Sequence, residues 1–338
     1  MKPTDPQDKN PEPGDGFAPS WLVSHSQIQS ILATKGPRRR LWLKRGNQME
    51  AVQTRQILEC RDGVKLTGVH SRQPEGTTPR GLVVLIHGWE GSHESVYLYS
   101  MSCALYQAGY NIFRLNLRDH AGTHALNREM FHSARFGEVL EAITAVKALD
   151  ATQPMYVIGF SLGGNFALRV ALQGPAQGIT PKLTIGISPS INPAATVRAI
   201  DTGPALFRLY FLDKWLKTLR AKKNAWPDYD FSAFEKIKSM WESTRHFAEH
   251  YTEYGDMQRY FDAYTITPQM LIDSPAPVAV ITAQDDAVIP FEDFAGLAPR
   301  GSVKAFIATE RGGHCGFIEN LKMGSWAEKR VLELLAQH

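Results

Sequence analysis

The sequence predicts an α/β fold, with a mostly parallel central sheet, helices on both of its faces and a helical insertion late in the chain. Three observations predict it. Continuous apolar runs of strand length recur, such as "GLVVLIHG" (81–88) and "PMYVIGFS" (154–161), and runs of this kind mark strands buried on both faces. Segments with apolar residues at helical spacing stand between them, the alternation that builds a parallel sheet. From about residue 191 to 275 the rhythm breaks into an aromatic, lysine-rich stretch that includes "ALFRLYFLDKWLKTLRAKK".

In chain order, residues 1–16 are rich in Pro and charge, lack the apolar core of a secretory signal, and are expected to be a disordered tail. "TRQILEC" (54–60) and "VKLTGVHS" (64–71) flank Arg-Asp-Gly and read as an antiparallel hairpin at one edge of the sheet. The core strands are "GLVVLIHG", "YNIFRLNLRD" (110–119), "PMYVIGFS", "KLTIGISPS" (182–190), "APVAVITAQDD" (276–286) and "SVKAFIATERGGH" (302–314). Helices are expected at about 95–108, at 135–149, from Ser161 onward and at 323–337. In 135–149 the residues Phe136, Val139, Leu140, Ile143 and Val146 fall on one helical face. The expected division is therefore a core of 17–190 plus 276–338, interrupted by a helical cap at 191–275. Ligands bind at the carboxyl ends of parallel strands, so the cap is expected to act as a lid or as the wall of an acyl pocket.

With 338 residues, 43% hydrophobic and 21% charged, the chain has ordinary globular composition. A net charge of +3 is too mild to argue for nucleic acid. No apolar run approaches the ~20 residues of a membrane span. Three scattered cysteines, Cys60, Cys103 and Cys315, give no disulfide framework, so the reducing cytoplasm is the expected compartment. "KGPRRRLWLKR" (35–45) interleaves basic residues with Leu41, Trp42 and Leu43. It is either a solvated face paired to its own domain or a weak contact for anionic lipid headgroups.

Gly159-Phe160-Ser161-Leu162-Gly163 fits G-x-S-x-G. Chance produces this pattern in roughly one chain in ten of this length, but here a strand precedes it and a helix follows, as a nucleophile on a sharp turn requires. A serine nucleophile needs a base, and the base an orienting acid, in the chain order Ser, Asp or Glu, His. "AQDDAVIP" (283–290) and "RGGHCGF" (311–317) follow successive strands and open at the same sheet end as Ser161. His314 is the expected base. Asp286 is the expected acid, with Asp285 as its competitor or a turn anchor. For the oxyanion, one donor is the Leu162 N–H. The second is the Trp89 N–H in "IHGWEGS" (86–92), where Gly88 and Gly91 let the backbone turn toward substrate.

His120 and His124 in "RDHAGTH" mimic a metal pair with Asp119, but Gly122 makes the segment a loop and no second ligand cluster is near in sequence. His246 and His250 have helical spacing without a completing Cys or carboxylate cluster. No phosphate-binding glycine fingerprint follows a strand. No metal or cofactor is expected, and Cys315 reads as packing.

These stretches resemble the α/β-hydrolase superfamily, and within it the YheT-like branch of esterases. "HGWEGSHESVY", "RLNLRDHAGT", "MFHSARFGEVLEAI", "GFSLGGN", "DDAVIP", "GGHCGF" and the arm "FAPSWLVSHSQIQSIL" carry the likeness over nearly the whole chain after residue 17. The resemblance implies a Ser161–His314–Asp286 triad and a carboxylester substrate, lipid esters included, while the aromatic insertion suggests an apolar acyl group of short to medium length. Two departures bear on substrate preference: Arg-Asp-His-Ala-Gly where the family has Arg-Gly-Cys-x-Gly, and Asp-Asp-Ala for Asp-Asp-Pro. An acyltransferase with the same triad is the nearest alternative, and a non-catalytic binding protein on this fold the next.

Overall fold

The computed structural model describes residues 12–13, 16–35, 38, 40–41 and 46–338. Its sheet is built from β1 (Glu12–Pro13), β2 (Gln53–Glu59), β3 (Lys65–Ser71), β4 (Leu82–Ile86), β5 (Asn111–Asn116), β6 (Met155–Phe160), β7 (Leu183–Ile187), β8 (Val278–Ala283) and β9 (Val303–Thr309). The strand order is β1-β9-β8-β7-β6-β4-β5-β3-β2. From β5 across to β1 every pairing is parallel; β3 pairs antiparallel with β5 and β2 with β3. The hairpin thus sits at the expected edge, with Gln53 opposite Ser71. Its turn is carried by Asp62 and Gly63, both left-handed at φ 55° and 75°, the conformation that Asp-Gly tolerates.

The tail is not wholly without structure: Glu12–Pro13 lies parallel to Ile307–Ala308 of β9, a pairing that the composition of residues 1–16 did not signal. The remainder of 1–15 lies outside the described residues, as do Trp42 and Leu43 of the basic stretch.

The helices are α1 (Ser26–Thr34), α2 (Asn47–Ala51), α3 (Val96–Gln107), α4 (Phe136–Leu149), α5 (Leu162–Gln173) and α11 (Trp326–Ala336), with α6 to α10 in the insertion. Side chains alternate across each strand, and β4 shows how both faces are filled. Val83 and Leu85 join Ile158, Ile185 and Ile281 beneath α3 and α11. Leu82, Val84 and Ile86 join Val157 beneath α4 and α5. Every residue of β4, β5, β6, β7 and β8 is buried, which is why the sequence reads as continuous apolar runs there. Among the described residues no helix is long and apolar enough to cross a membrane.

Within 191–275 lie α6 (Pro193–Thr202), α7 (Ala205–Ala225), α8 (Met240–Tyr251), α9 (Met257–Asp262) and α10 (Pro268–Ile272). Polar caps set several of their starts: Asn192, Ser239, Asp256 and Thr267 each accept a backbone N–H in the first turn. Asp201 adds a carboxylate at the start of α8, accepting from Met240 N and Trp241 N.

The insertion is tied to the core by a buried ion pair. Lys222 of α7 donates to Asp119 Oδ1 at 2.9 Å and to the carbonyl of Asn127 at 2.7 Å, while Asp119 Oδ2 accepts from Phe131 N. Both side chains are sealed from water. Removing one member of such a pair strands the other charge. Lys222→Met is therefore expected to lower stability by about 3–5 kcal/mol in denaturant titration, and adding Asp119→Asn to recover part of the loss.

Candidate active site

The strand β6 runs straight into α5, and the hand-over is a single residue. Ser161 has φ 55° and ψ −121°, a strained left-handed conformation for a side chain with a Cβ. Its flanks explain the glycines. A Cβ on Gly159 would stand 1.9 Å from the carbonyl oxygen of Gly163, and one on Gly163 would stand 2.3 Å from that of Ile86. Only glycine lets the strand and helix pass so closely. The Ser161 backbone is held by its N–H to Ile187 O at 2.9 Å and by its own carbonyl, which accepts from Asn165 N and Ser190 N.

His314 lies in the loop after β9, and the loop after β8 brings Asp286 to it. The structure brings these residues together with Ser161, although 153 positions separate His314 from Ser161. His314 Nε2 is 2.9 Å from Ser161 Oγ, and its Nδ1 is 2.8 Å from Asp286 Oδ2. The other Asp286 oxygen accepts from Val288 N at 2.8 Å and Ile289 N at 3.1 Å, which fixes the carboxylate plane. Asp285 accepts from Gly313 N at 2.8 Å and so holds the turn before His314. Burial by itself would push the His314 imidazole down; the Asp286 charge and hydrogen bond outweigh it and hold its pKa well above the ordinary value.

Leu162 and Trp89 both border the space around Ser161, and their N–H groups donate to no acceptor among the described residues. The Trp89 turn is built differently from the sequence expectation. Its left-handed residue is Glu90, at φ 56°, and neither Gly88 nor Gly91 has positive φ. Glycine is needed there for clearance: a Cβ on Gly91 would lie 2.9 Å from Gly88 O. Two buried histidines fix the turn. His120 accepts the Glu90 N–H at Nε2 (3.0 Å) and donates from Nδ1 to Arg118 O (2.6 Å). His87 likewise accepts from Leu117 N and donates to Gly88 O. Burial lowers both imidazole pKa values, that of His120 to about 4, so both rings are neutral. With both nitrogens of His120 spent on backbone, "RDHAGTH" is loop scaffolding. Among the described residues no group of three or more His, Cys, Asp or Glu could hold a metal ion.

Two cavities meet at Ser161. The inner one, about 110 Å³, lies under the insertion and is walled by Phe131, Val197, Ile200, Phe211, Trp215 and Phe247. The outer cleft, about 580 Å³, is bordered by Ser30, Tyr97, Leu206, Tyr210, Lys214 and His314. Glu90 borders both. Burial pushes its carboxyl up to about 7, against the hydrogen bond from Thr218 of α7.

Sequence reasoning missed the N-terminal arm as a part of this site. Ser30 Oγ accepts the His314 N–H at 2.8 Å. Gln29, fully buried, accepts from Ile318 N and donates to Ile318 O and Val23 O. The loop is shaped for this contact, since a Cβ on Gly313 would stand 2.3 Å from Ser26 O. Nothing in the spacing signals it, because 284 positions separate Ser30 from His314. Ser30 is a positioning residue in this arrangement. Ser30→Ala leaves the His314 N–H without its acceptor and is expected to cut kcat about tenfold with little change in KM, read in steady-state ester hydrolysis.

Residues 83–322 match the sequence model described as "Alpha/beta hydrolase family". The chain is 25% identical over 296 residues to the Escherichia coli (strain K12) protein named "Putative esterase YheT", covering 84% of each chain. Among solved structures, the hyperthermophilic esterase of the archaeon Pyrobaculum calidifontis superimposes with TM-score 0.55 at 18% identity, covering 92% of each chain. A soluble variant of monoglyceride lipase from Saccharomyces cerevisiae, in complex with a substrate analogue, gives TM-score 0.53 at 19% identity, covering 84% of this chain and 94% of that one.

Proposed function

This chain belongs to the alpha/beta hydrolase family, and within it we propose that it is a serine esterase that cleaves carboxylic esters through an acyl-enzyme. The observation that carries the reading is the continuous hydrogen-bonded line from Asp286 through His314 to Ser161, set where two cavities meet.

In this mechanism Ser161 Oγ attacks the ester carbonyl carbon while His314 Nε2 takes its proton. Asp286 holds the imidazole tautomer and stabilises the imidazolium. The carbonyl oxygen, now carrying negative charge, is received by the Leu162 and Trp89 N–H groups. Collapse expels the alcohol, which takes the proton from His314. Water then enters, gives its proton to His314 and attacks the acyl carbon; the acid departs as the proton returns to Ser161.

The inner cavity takes the acyl group and the outer cleft the alcohol. A volume of about 110 Å³ is below the ~150 Å³ engineered cavity that holds benzene, so a short acyl chain fits and a long one needs the wall to move. Segment 191–275 acts as that wall, a cap over the carboxyl ends of the strands.

The test is a p-nitrophenyl ester series of increasing acyl length, together with a fluorophosphonate probe. The expected result is labelling at Ser161 and kcat/KM highest for the shorter acyl chains. Labelling without turnover, with acyl groups passed to an added alcohol, would turn the reading to an acyltransferase. Absence of both labelling and turnover would overturn the enzymatic reading.

A further inference from the structure

We propose that the mouth of the outer cleft is a docking face for an anionic lipid surface, presented by α1 and the first turns of α7. On α1, Gln29 and Ala33 point inward and are fully buried, while Ile28 and Ile31 are each 41% exposed on the opposite side, in line with Lys35. On α7, Leu206 is 50% and Leu209 62% exposed, three residues apart on the side turned away from buried Phe207 and Trp215. Ile31, Lys35, Leu206, Tyr210 and Lys214 all border the same cleft, so the two helices share its rim. The Lys35 ammonium stands 5.1 Å from the Tyr210 ring centroid and that of Lys214 stands 5.9 Å from it. Four exposed apolar side chains beside two cations compose an amphipathic rim, apolar outward and basic at its border.

Charge decides the occupant. Neither Lys35 nor Lys214 forms an ion pair within the chain among the described residues. Arg40 is exposed nearby in sequence, within a stretch carrying further arginines and lysines. Among the described residues that border the cleft the acids are Glu94 and Glu90, the latter recessed beside Ser161; Asp213 of α7 is paired to Lys217 at 2.6 Å. Exposed apolar crests beside unpaired cations fit acyl chains under anionic headgroups. Most of the basic stretch 35–45 lies outside the described residues. In the basic stretch 35–45, Arg38 is turned inward to Glu328 at 2.6 Å and to Ser100, which removes its charge from the surface.

The inference concerns binding alone and stands whether or not the chain hydrolyses esters. The full chain is mixed with phosphatidylcholine vesicles, with or without phosphatidylglycerol, and floated on a density gradient. The expected result is co-flotation with the phosphatidylglycerol vesicles, weakened by added salt. The double substitution Ile28→Gln and Leu209→Gln is expected to lower the bound fraction about tenfold, with the thermal midpoint unchanged as the check on folding. Neither residue borders either of the two cavities at Ser161, so hydrolysis of a soluble ester stays at the level of the parent. No flotation of the parent chain, or equal flotation of the variant, overturns the inference. So does a parent dimer in gel filtration that the variant dissolves, since the face then belongs to a second copy.

Discussion

Ser161→Ala is expected to lower kcat for a soluble ester by about four to six orders of magnitude while leaving the fold and the thermal midpoint in place. Alanine keeps the Cβ at φ 55°, so the turn carries the same strain as before, and the backbone bonds of residue 161 to Ile187, Asn165 and Ser190 persist. What is lost is the Oγ that forms the acyl-enzyme in the proposed mechanism. In the proposed mechanism the residual rate comes from binding in the two cavities and from the Leu162 and Trp89 N–H groups stabilising the carbonyl oxygen while a water attacks. Steady-state rates on the short-chain esters, with fluorophosphonate labelling as a second readout, check this. A loss of less than tenfold would mean that another group performs the attack.

The second large effect belongs to Asp286→Asn. The amide keeps the size and one oxygen, so Val288 N and Ile289 N retain an acceptor. Toward His314 it offers no charge, and an amide N–H turned to Nδ1 would hold the wrong tautomer. A fall in kcat of about 10⁴-fold is expected. The pH profile carries an independent signature. The proposed mechanism needs His314 neutral, so kcat/KM is expected to fall on the acid side as the imidazole gains its proton. In the parent, Asp286 holds the His314 pKa well above the ordinary value, so this acid limb lies above about 6.5. Without the charge, the largest influence that opposes burial is gone, so the pKa falls and the limb moves to lower pH. A profile from about pH 5 to about pH 9 on both proteins reads the shift. A limb that stays in place would show that another group sets it.

How much of this was legible depends on the range of the interaction involved. The parallel strands were legible because burial on both faces demands unbroken apolar runs, and β4 to β8 are buried at every position. The elbow was legible because its steric demand is local: Gly159 and Gly163 are four residues apart and meet at the same crossing. The order of Ser161, Asp286 and His314 was legible because successive parallel strands open at one sheet end. The helices of 191–275 were announced by their aromatic, lysine-rich composition, whereas the polar residues that cap them were not read.

Other features left no such trace. Glu90 carries the left-handed turn beside the Trp89 N–H, a position that two neighbouring glycines seemed better suited to fill. His120 looked like half of a metal pair and is a prop for that turn, a role set by the burial of Arg118 O and Glu90 N around it. Ser30 and Gln29 sit in an unremarkable helix and clasp a loop nearly 290 positions away. Lys222 and Asp119, 103 positions apart, form a sealed ion pair that no spacing in the sequence announces.

By itself the sequence determined the alternation of strands and helices, the sharp turn that presents Ser161, and which end of the sheet gathers Ser161, Asp286 and His314, because each follows from contacts between near neighbours and from the pattern of burial. The tertiary structure alone decided how two cavities divide the space around Ser161, which charges are spent inside the protein, and which segment steadies His314. These rest on groups far apart in the chain whose mutual distance is set only when the whole core packs, and a one-dimensional pattern holds no measure of that distance.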